Sequence, residues 1–149
     1  MRAVAQRVRR ARITVAGEVV GEMGPGLLAL VGVARSDVAA SAAELARKLV
    51  HLRVFEDAAG KMNASLLEAG GALGVVSQFT LFGDARKGRR PSFIEAAPPE
   101  QAEPLVEALC AEARALGVLV VGGRFRAHMD VELVNAGPVT ILLDTERRF

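Results

Sequence analysis

The chain is poor in the residues on which disulfides, metal centres and membrane spans depend. Its 149 residues include one cysteine, two histidines and neither tryptophan nor tyrosine. Cys110 has no thiol to pair with, which excludes an internal disulfide and a thiolate metal cluster, and neither His51 nor His128 has a second histidine three or four positions away. We therefore predict that the protein uses no metal and no cofactor. The longest nearly apolar run, GLLALVGVA at residues 26–34, is too short for the roughly 20 residues of a membrane-spanning helix, and it predicts a buried strand.

What the chain does have is a globular composition with basic clusters. Hydrophobic residues make up 51% of the sequence and charged residues 24%, which is typical of a packed core rather than of disorder. The length predicts one domain over residues 1–149, and the basic N-terminus lacks the apolar segment of a secretory signal, so we expect a cytoplasmic protein. The net charge is only +2, yet basic residues concentrate in RVRRAR at 7–12, RKGRR at 86–90 and RR at 147–148. Such clusters are either solvated surface or contacts for a phosphate backbone.

Hydrophobic periodicity predicts strands first and then a helix. Residues 3–26 alternate between apolar and polar side chains and break at Gly17, as a β-hairpin would. In residues 36–55 the apolar side chains recur at three- and four-residue steps, which predicts an amphipathic helix with Asp37 or Ser41 as its cap.

The second half of the chain continues the pattern. KMNASLLEAGG at 61–71 predicts a short helix ended by its glycines, and ALGVVSQFTLF at 72–82 is the most strand-like run. Residues 98–117 predict a second long helix that ends at Gly117, although Pro104 leaves its start undecided. Two or three strands complete the chain. The pattern predicts an α+β domain on a largely antiparallel, barrel-like sheet with two long helices.

Polar side chains interrupt the most strand-like run at SQFTL, residues 77–81. In an extended strand Gln78 and Thr80 lie on one face, where two buried polar groups without partners would be costly. They therefore line a cleft, satisfy each other, or face solvent. A hydroxyl and an amide at this spacing are able to orient a carbonyl group or a water molecule.

The last motif, NAGPVT at residues 135–140, stands between two strand-like runs, MDVEL and VTILL, and predicts the turn of a hairpin. Gly137 has access to dihedral angles closed to other residues, and Pro138 permits a cis peptide bond at modest cost. A cis turn would aim the glycine carbonyl outward, whereas an ordinary turn would only reverse the chain. The pattern alone leaves both open.

Together and in this order, the motifs resemble the bacterial-type D-aminoacyl-tRNA deacylases, the D-tyrosyl-tRNA deacylase family, from end to end. The matching segments are QRV at 6–8, GEMGPGLLALVGV at 21–33, GKMN at 60–63, VVSQFTL at 75–81, RRPSF at 89–93, GRF at 123–125 with Met129 after it, and NAGPVT. The resemblance implies a homodimer that hydrolyses the ester bond between a D-amino acid and the terminal adenosine of tRNA. It also implies action on glycine mischarged on the alanine tRNA.

The resemblance assigns chiral selection to the Gly-Pro pair. Gly137 and Pro138 would be the family's cis Gly-Pro motif, which reaches from one subunit into the pocket of the other. Arg7 would brace this loop by hydrogen bonds to its carbonyls, the alternative being a surface charge. A rigid carbonyl at that place overlaps an L side chain, spares a D side chain and cannot reject glycine, so substrates would be sorted by exclusion.

Catalysis is expected at Ser77, Gln78, Phe79 and Thr80, where backbone N–H groups and the two polar side chains would hold the scissile carbonyl and its oxyanion. Thr80 is the obvious nucleophile, but no histidine or aspartate lies beside it in the order of a catalytic triad. Positioned water, helped by the ribose hydroxyl of the substrate, is therefore favoured over a covalent intermediate.

The remaining candidates are expected to bind tRNA. Phe125 and Met129 would stack on the terminal adenine, with core packing as the alternative. The tRNA backbone would meet a basic loop, whose cationic side chains are Arg86, Lys87, Arg89 and Arg90. The charged tail LDTERRF receives no role. Two other classes stay open: an RNA-binding module that needs neither SQFTL nor the Gly-Pro pair, and a hydrolase of small D-amino-acid esters.

Overall fold

The architecture is a six-stranded mixed sheet that curls into a nearly closed barrel, with two helices packed against it. The computed structural model describes residues 1–148. In chain order the elements are β1 (Arg2–Val15), β2 (Glu18–Met23), β3 (Gly26–Gly32), α1 (Ala39–Val50), β4 (Phe55–Glu56), β5 (Met62–Ala64), β6 (Ala72–Ser77), a 3₁₀ helix (Phe79–Phe82), α2 (Pro99–Ala115), β7 (Val120–Gly122) and β8 (Asp130–Asp144).

Strand β1 organises the sheet. It pairs antiparallel with β8 along one edge and with β2 and then β3 along the other. The pairs β3–β6 and β6–β7 are parallel, so the sheet is antiparallel around β1 and parallel through β6. β2 and β7 stand at opposite ends of the strand order, and the curl of the sheet brings them together. A Cβ added to Gly21 of β2 would lie only 2.8 Å from the Gly122 carbonyl oxygen of β7. This approach nearly closes the barrel.

Alternation along the strands gives the sheet two apolar faces. In β3, Leu27 and Val31 pack with α1 and α2 in the larger core, while Leu28 belongs to the smaller cluster in the barrel interior. Leu45 of α1 and Leu109 of α2 are fully buried in the larger core. The apolar stripes predicted for both helices therefore face the sheet as expected.

The turn predicted for the first hairpin is confirmed. The first hairpin turns at Ala16 and Gly17, both with positive φ, as a tight two-residue turn between twisted strands requires. The sequence left the start of α2 undecided, and the structure places it at Pro99. Pro104 therefore lies inside the helix and leaves the carbonyl of Glu100 without an i→i+4 donor. None of the helices within residues 1–148 is long and apolar enough to cross a membrane.

The predicted caps of α1 are only half right. Ser41 Oγ accepts a hydrogen bond of 3.2 Å from the backbone N–H of Val38, as in a capping box. Asp37 does not cap the helix. Its carboxylate is buried against the terminal ammonium group of Met1, at 2.5 Å, and accepts a second bond from the N–H of Ala34.

The short helix predicted for residues 61–71 is wrong. Met62–Ala64 forms strand β5, and only one turn follows, in which the N–H of Ala69 donates to the carbonyl of Ser65. Ser65 and Glu68 exchange side-chain hydrogen bonds like a helix start, but Gly70 adopts a positive φ and ends the turn at once.

Candidate active site

A cleft of about 830 Å³ opens beyond the carboxyl ends of the parallel strands β3 and β6, the edge at which sheets of this kind bind ligands. The start of α2 and the segment between β7 and β8 form the other walls. The lining is mostly apolar. Its polar side chains are Ser77, Gln78, Thr80, Arg126 and His128.

The strand predicted through residues 77–81 ends earlier than expected. Ser77 is the last residue of β6, and the backbone N–H of Gln78 closes the ladder on the Val31 carbonyl oxygen at 2.7 Å. The chain then turns into the 3₁₀ helix. Gln78 and Thr80 nonetheless stay together, because Gln78 Nε2 donates to Thr80 Oγ1 at 3.0 Å.

The turn into the 3₁₀ helix frees two backbone donors. The N–H groups of Phe79 and Thr80 have no acceptor among the described residues, as is usual for the first donors of a helix. The N–H of Gln78 is already used by the sheet. Of the four residues predicted to form the catalytic strand, Phe79 and Thr80 therefore offer the free backbone hydrogen-bond donors.

The basic loop is attached to the same wall. Asp84 and Ser92 exchange backbone hydrogen bonds of 2.8 and 2.9 Å at its base, and Phe93 packs edge-on against Phe79 with ring centroids 5.1 Å apart. Phe79 is 58% exposed, so this stack forms part of the rim. The loop is thus fixed beside the cleft at both its neck and its C-terminal side.

The four basic residues of the loop are not equivalent. Arg86 donates to both carboxylate oxygens of Asp84, and these hydrogen bonds lower the pKa of Asp84 and raise that of Arg86. Lys87, Arg89 and Arg90 are exposed and have no hydrogen-bond or ion-pair partner within residues 1–148. Three of the predicted tRNA contacts are therefore available, and the fourth is engaged within the loop.

The hairpin predicted at NAGPVT is wrong. Both flanking runs belong to the single strand β8 and pair with β1, with Asn135 opposite Val8 and Thr140 opposite Gln6. Residues 136–139 bulge out of the strand across from Arg7. The Gly137-Pro138 peptide bond in this bulge, called the Gly-Pro loop below, is cis, and both residues are exposed. The chain does not reverse here, so the segment projects from an otherwise continuous strand.

Two side chains hold the neck of the Gly-Pro loop. Arg7 donates from Nε to the Ala136 carbonyl oxygen at 2.9 Å and from its terminal nitrogen to the Val54 carbonyl oxygen at 2.6 Å. Asn135 spans the base of the loop, since its Oδ1 accepts from the N–H of Val139 at 2.9 Å and its Nδ2 donates to Thr140 Oγ1 at 3.0 Å.

The structure separates the predicted site residues into two groups. Ser77, Gln78, Phe79 and Thr80 line the cleft, and so do Phe125 and Met129. The residues that do not line it are Arg7, Gly137, Pro138 and the four cations of the basic loop. The Gly-Pro loop therefore lies outside the cleft of its own chain.

Comparison with known proteins decides the family. The family model described as D-Tyr-tRNA(Tyr) deacylase matches residues 4–144. A protein of Symbiobacterium thermophilum named D-aminoacyl-tRNA deacylase is 62% identical over 100% of this chain and 99% of its own length. A protein of the same name from Anaeromyxobacter dehalogenans is also 62% identical, over the full length of both. The chain belongs to the D-Tyr-tRNA(Tyr) deacylase family. As a D-aminoacyl-tRNA deacylase it is a hydrolase of ester bonds that serves proofreading in translation.

Solved structures agree on the deacylase fold. A structure described as c-Myc DNA Unwinding Element Binding Protein is 39% identical, with a TM-score of 0.92 over 97% of this chain and 99% of that one. A probable eukaryotic D-amino acid tRNA deacylase is only 17% identical, yet it superposes with a TM-score of 0.83 over 95% and 97% of the two chains, which shows the shared fold.

Sequence reasoning missed four residues of this candidate site. Arg126, His128 and Phe93 stand at the cleft or its rim, and Asn135 holds the Gly-Pro loop. Phe93 and Asn135 lie inside the motifs RRPSF and NAGPVT, which could have pointed to them, whereas Arg126 and His128 carry no sequence signal. No cluster of three His, Cys, Asp or Glu side chains suited to a metal occurs in the described part of the chain.

Proposed function

We propose that this deacylase sorts its substrates by handedness in the cytoplasm, as a homodimer in which the Gly-Pro loop of one subunit closes the cleft of the other. The observation that carries the proposal is that the loop projects into solvent and lies outside the cleft of its own chain. A rigid backbone segment held at its neck by Arg7 and Asn135 is suited to act on a neighbouring molecule.

The unpaired edge of β8 favours a dimer contact beside the Gly-Pro loop. β8 pairs only with β1 among the strands of residues 1–148, and its other edge has no strand partner there. Long exposed edges favour association with another chain. The strand also exposes apolar side chains on both sides of the loop, Val134 at 36% and Leu142 at 59%. Burial of this surface would bring the loop to the partner.

Steric exclusion of L side chains by the Gly-Pro loop predicts which substrates the enzyme cleaves. A carbonyl fixed where an L side chain would project overlaps it, while a D side chain points elsewhere and glycine has nothing to exclude. The enzyme therefore removes D-amino acids and glycine mischarged on the alanine tRNA, and spares L-aminoacyl-tRNA.

The catalytic step needs only positioning. The free N–H groups of Phe79 and Thr80 are proposed to form an oxyanion site for the ester carbonyl, which gains charge as water attacks. The water then loses a proton to the departing ribose oxygen, relayed by the neighbouring ribose hydroxyl of the substrate. Ser77 and Gln78 line the adjoining wall. Thr80 Oγ1 is hydrogen-bonded to the Gln78 amide, a donor that takes up no proton, and no basic side chain of residues 1–148 is hydrogen-bonded to this hydroxyl to activate it as a nucleophile. Phe125 and Met129 provide the apolar surface for the terminal adenine.

Thr80→Ala is expected to keep kcat/KM for D-tyrosyl-tRNA within about tenfold of the unchanged enzyme, because the backbone N–H survives the substitution. Loss of a covalent nucleophile costs far more, on the order of 10⁶-fold in a serine protease. Single-turnover release of D-tyrosine measures the effect, with Thr80→Ser as the matched variant. Complete loss in Thr80→Ala, with the fold intact and substrate still bound, would establish the nucleophile instead.

The basic loop is proposed to contact the tRNA backbone. Replacing both Arg89 and Arg90 by alanine is expected to reduce the slope of log Kd against log salt by about 1.4 to 1.8, since each phosphate contact contributes about 0.7 to 0.9. The control removes two basic side chains from α1, Arg47 and Lys48, which pair with Glu112 and Glu44 outside the cleft. Equal slopes for the two double variants would show that the basic loop does not contact the tRNA backbone.

The handedness proposal is tested by incubating the protein with D-tyrosyl-tRNA, L-tyrosyl-tRNA and glycyl-tRNA and following the free amino acid. Release from the D and glycyl substrates but not from the L substrate is expected. Release from none would favour a nucleic-acid-binding role. Rapid turnover of D-tyrosine esters without RNA would identify a small-molecule hydrolase.

A further inference from the structure

A second cavity, of about 490 Å³, adjoins the cleft. Ser77, Val106 and Phe125 line both, so the two spaces share a wall and follow α2 one after the other. The outer wall of the second cavity is backbone at Gly122 and Gly123. A Cβ added to Gly122 would meet nothing within 4 Å, so the space beside this backbone is open.

The second cavity contains charged side chains without partners. Glu103, Glu107 and Arg114 of α2 line it and are exposed, and their side chains form no hydrogen bond or ion pair with other described residues. Glu107 precedes Cys110 by three residues and Arg114 follows it by four, so all three lie on one helix face. Burial raises the pKa of the Cys110 thiol. Arg114 opposes that shift and Glu107 adds to it, so both charges lie near Cys110, which itself lines the cavity.

We infer that this cavity is the subsite for the base of the penultimate nucleotide of the tRNA acceptor end, a cytosine. The inference rests on the proposed function, in which Phe125 and Met129 hold the terminal adenine. All mature tRNAs end in cytidine, cytidine and adenosine, so the nucleotide bonded to that adenosine must occupy the space next to it. The shared wall at Phe125 makes the second cavity that space.

The charges of the cavity suit a base that carries an amino group. A carboxylate accepts a hydrogen bond from the exocyclic amino group of cytosine, as acidic side chains do in nucleic-acid recognition. In the proposed subsite, Glu107 would accept from the amino group, and Arg114 would donate to the ring nitrogen and the carbonyl of the same base. Two carboxylates against one guanidinium give the cavity a net negative charge, which disfavours a phosphate and therefore a second backbone site. Uracil would set its carbonyl oxygen against Glu107 and leave both groups unsatisfied.

The test uses three analogues in which an amide replaces the scissile ester: D-tyrosyl adenosine, the same compound extended by cytidine at its 5′ side, and the same extended by uridine. Calorimetric titration of the intact protein gives Kd for each. The cytidine analogue is expected to bind about tenfold more tightly than the uridine analogue, within the range of a well-paired base contact.

Single substitutions test whether the difference in Kd between the cytidine and uridine analogues arises in the second cavity. Glu107→Ala and Arg114→Ala are each expected to reduce the cytidine-to-uridine ratio to about twofold or less. Glu100→Ala, which removes an exposed carboxylate from the same helix outside the cavity, is expected to keep it. Equal affinities of the unchanged protein for the two extended analogues, or a ratio untouched in both cavity variants, would overturn the inference. Failure to bind any analogue, together with failure to cleave D-tyrosyl-tRNA, would overturn the proposed function as well.

Discussion

Gly137→Ala is expected to lower the ratio of kcat/KM for D-tyrosyl-tRNA over L-tyrosyl-tRNA by about tenfold or more, equivalent to about 1.4 kcal/mol of lost discrimination. Gly137 has φ of +134°, which L residues with side chains rarely adopt. An added Cβ would also lie 2.8 Å from Val139 Cγ2 and 2.9 Å from the terminal nitrogen of Arg7. The backbone must therefore move, and the carbonyl proposed to exclude L side chains moves with it.

The measurement compares three substrates in the same reaction series. Glycyl-tRNA has no side chain to exclude, so its rate reports catalysis apart from chiral selection. Gly60→Ala is the matched control, since Gly60 also has a positive φ but stands in an exposed turn with nothing near its added Cβ. If Gly137→Ala and Gly60→Ala retain the same D-to-L ratio, the loop does not select substrates.

Gly26→Ala is expected to lower the free energy of unfolding by about 3 kcal/mol, the upper part of the usual range for overpacking a core. Gly26 is the first residue of β3 and pairs with Ala72 of β6. An added Cβ would lie 1.9 Å from the Ala72 carbonyl oxygen and 2.8 Å from its backbone nitrogen. These are backbone atoms of a buried strand, so relief requires the two parallel strands to separate.

Chemical denaturation of Gly26→Ala measures this loss, and thermal unfolding should shift by roughly 6 to 12 °C. Gly24→Ala is the control, because Gly24 lies two residues before Gly26, in the bend between β2 and β3, is exposed, and has no atom within 4 Å of an added Cβ. Its stability should stay within about 0.5 kcal/mol of the unchanged protein. Equal midpoints for the two variants would mean that β3 and β6 are less tightly packed than described.

The regular elements were predictable because their signals are local and long. The alternation in β1, the period of α1 and the stripe of α2 each extend over several turns or strand repeats. Residues 61–71 failed for the opposite reason. Their capped single turn carries the signals of a helix start, but strand pairing of Met62 with Glu56 and the glycines at the other end leave room for nothing longer.

The candidate site was predictable in composition and not in geometry. Family resemblance pointed to SQFTL and NAGPVT, but no local rule shows that Gln78 closes the ladder on Val31 and frees the donors after it. Likewise, Gly137 and Pro138 are typical turn residues, and the sequence is the same whether the chain reverses in a hairpin or bulges out of a continuous strand. Only the long-range register of β8 on β1 separates a hairpin from a projecting loop.

The two carbonyl groups that accept hydrogen bonds from Arg7 link substrate selection by the Gly-Pro loop to the thermal stability of the helical layer. One guanidinium group joins the Gly-Pro loop to the carbonyl of Val54, just after α1, so the loop is tied to the helical layer and not only to its strand. If the loop rejects L side chains as proposed, fraying after α1 would remove one of the two acceptors of Arg7 and loosen the loop, while Asn135 and the bond to Ala136 still held it. Warming would then raise errors in substrate choice before it abolished turnover.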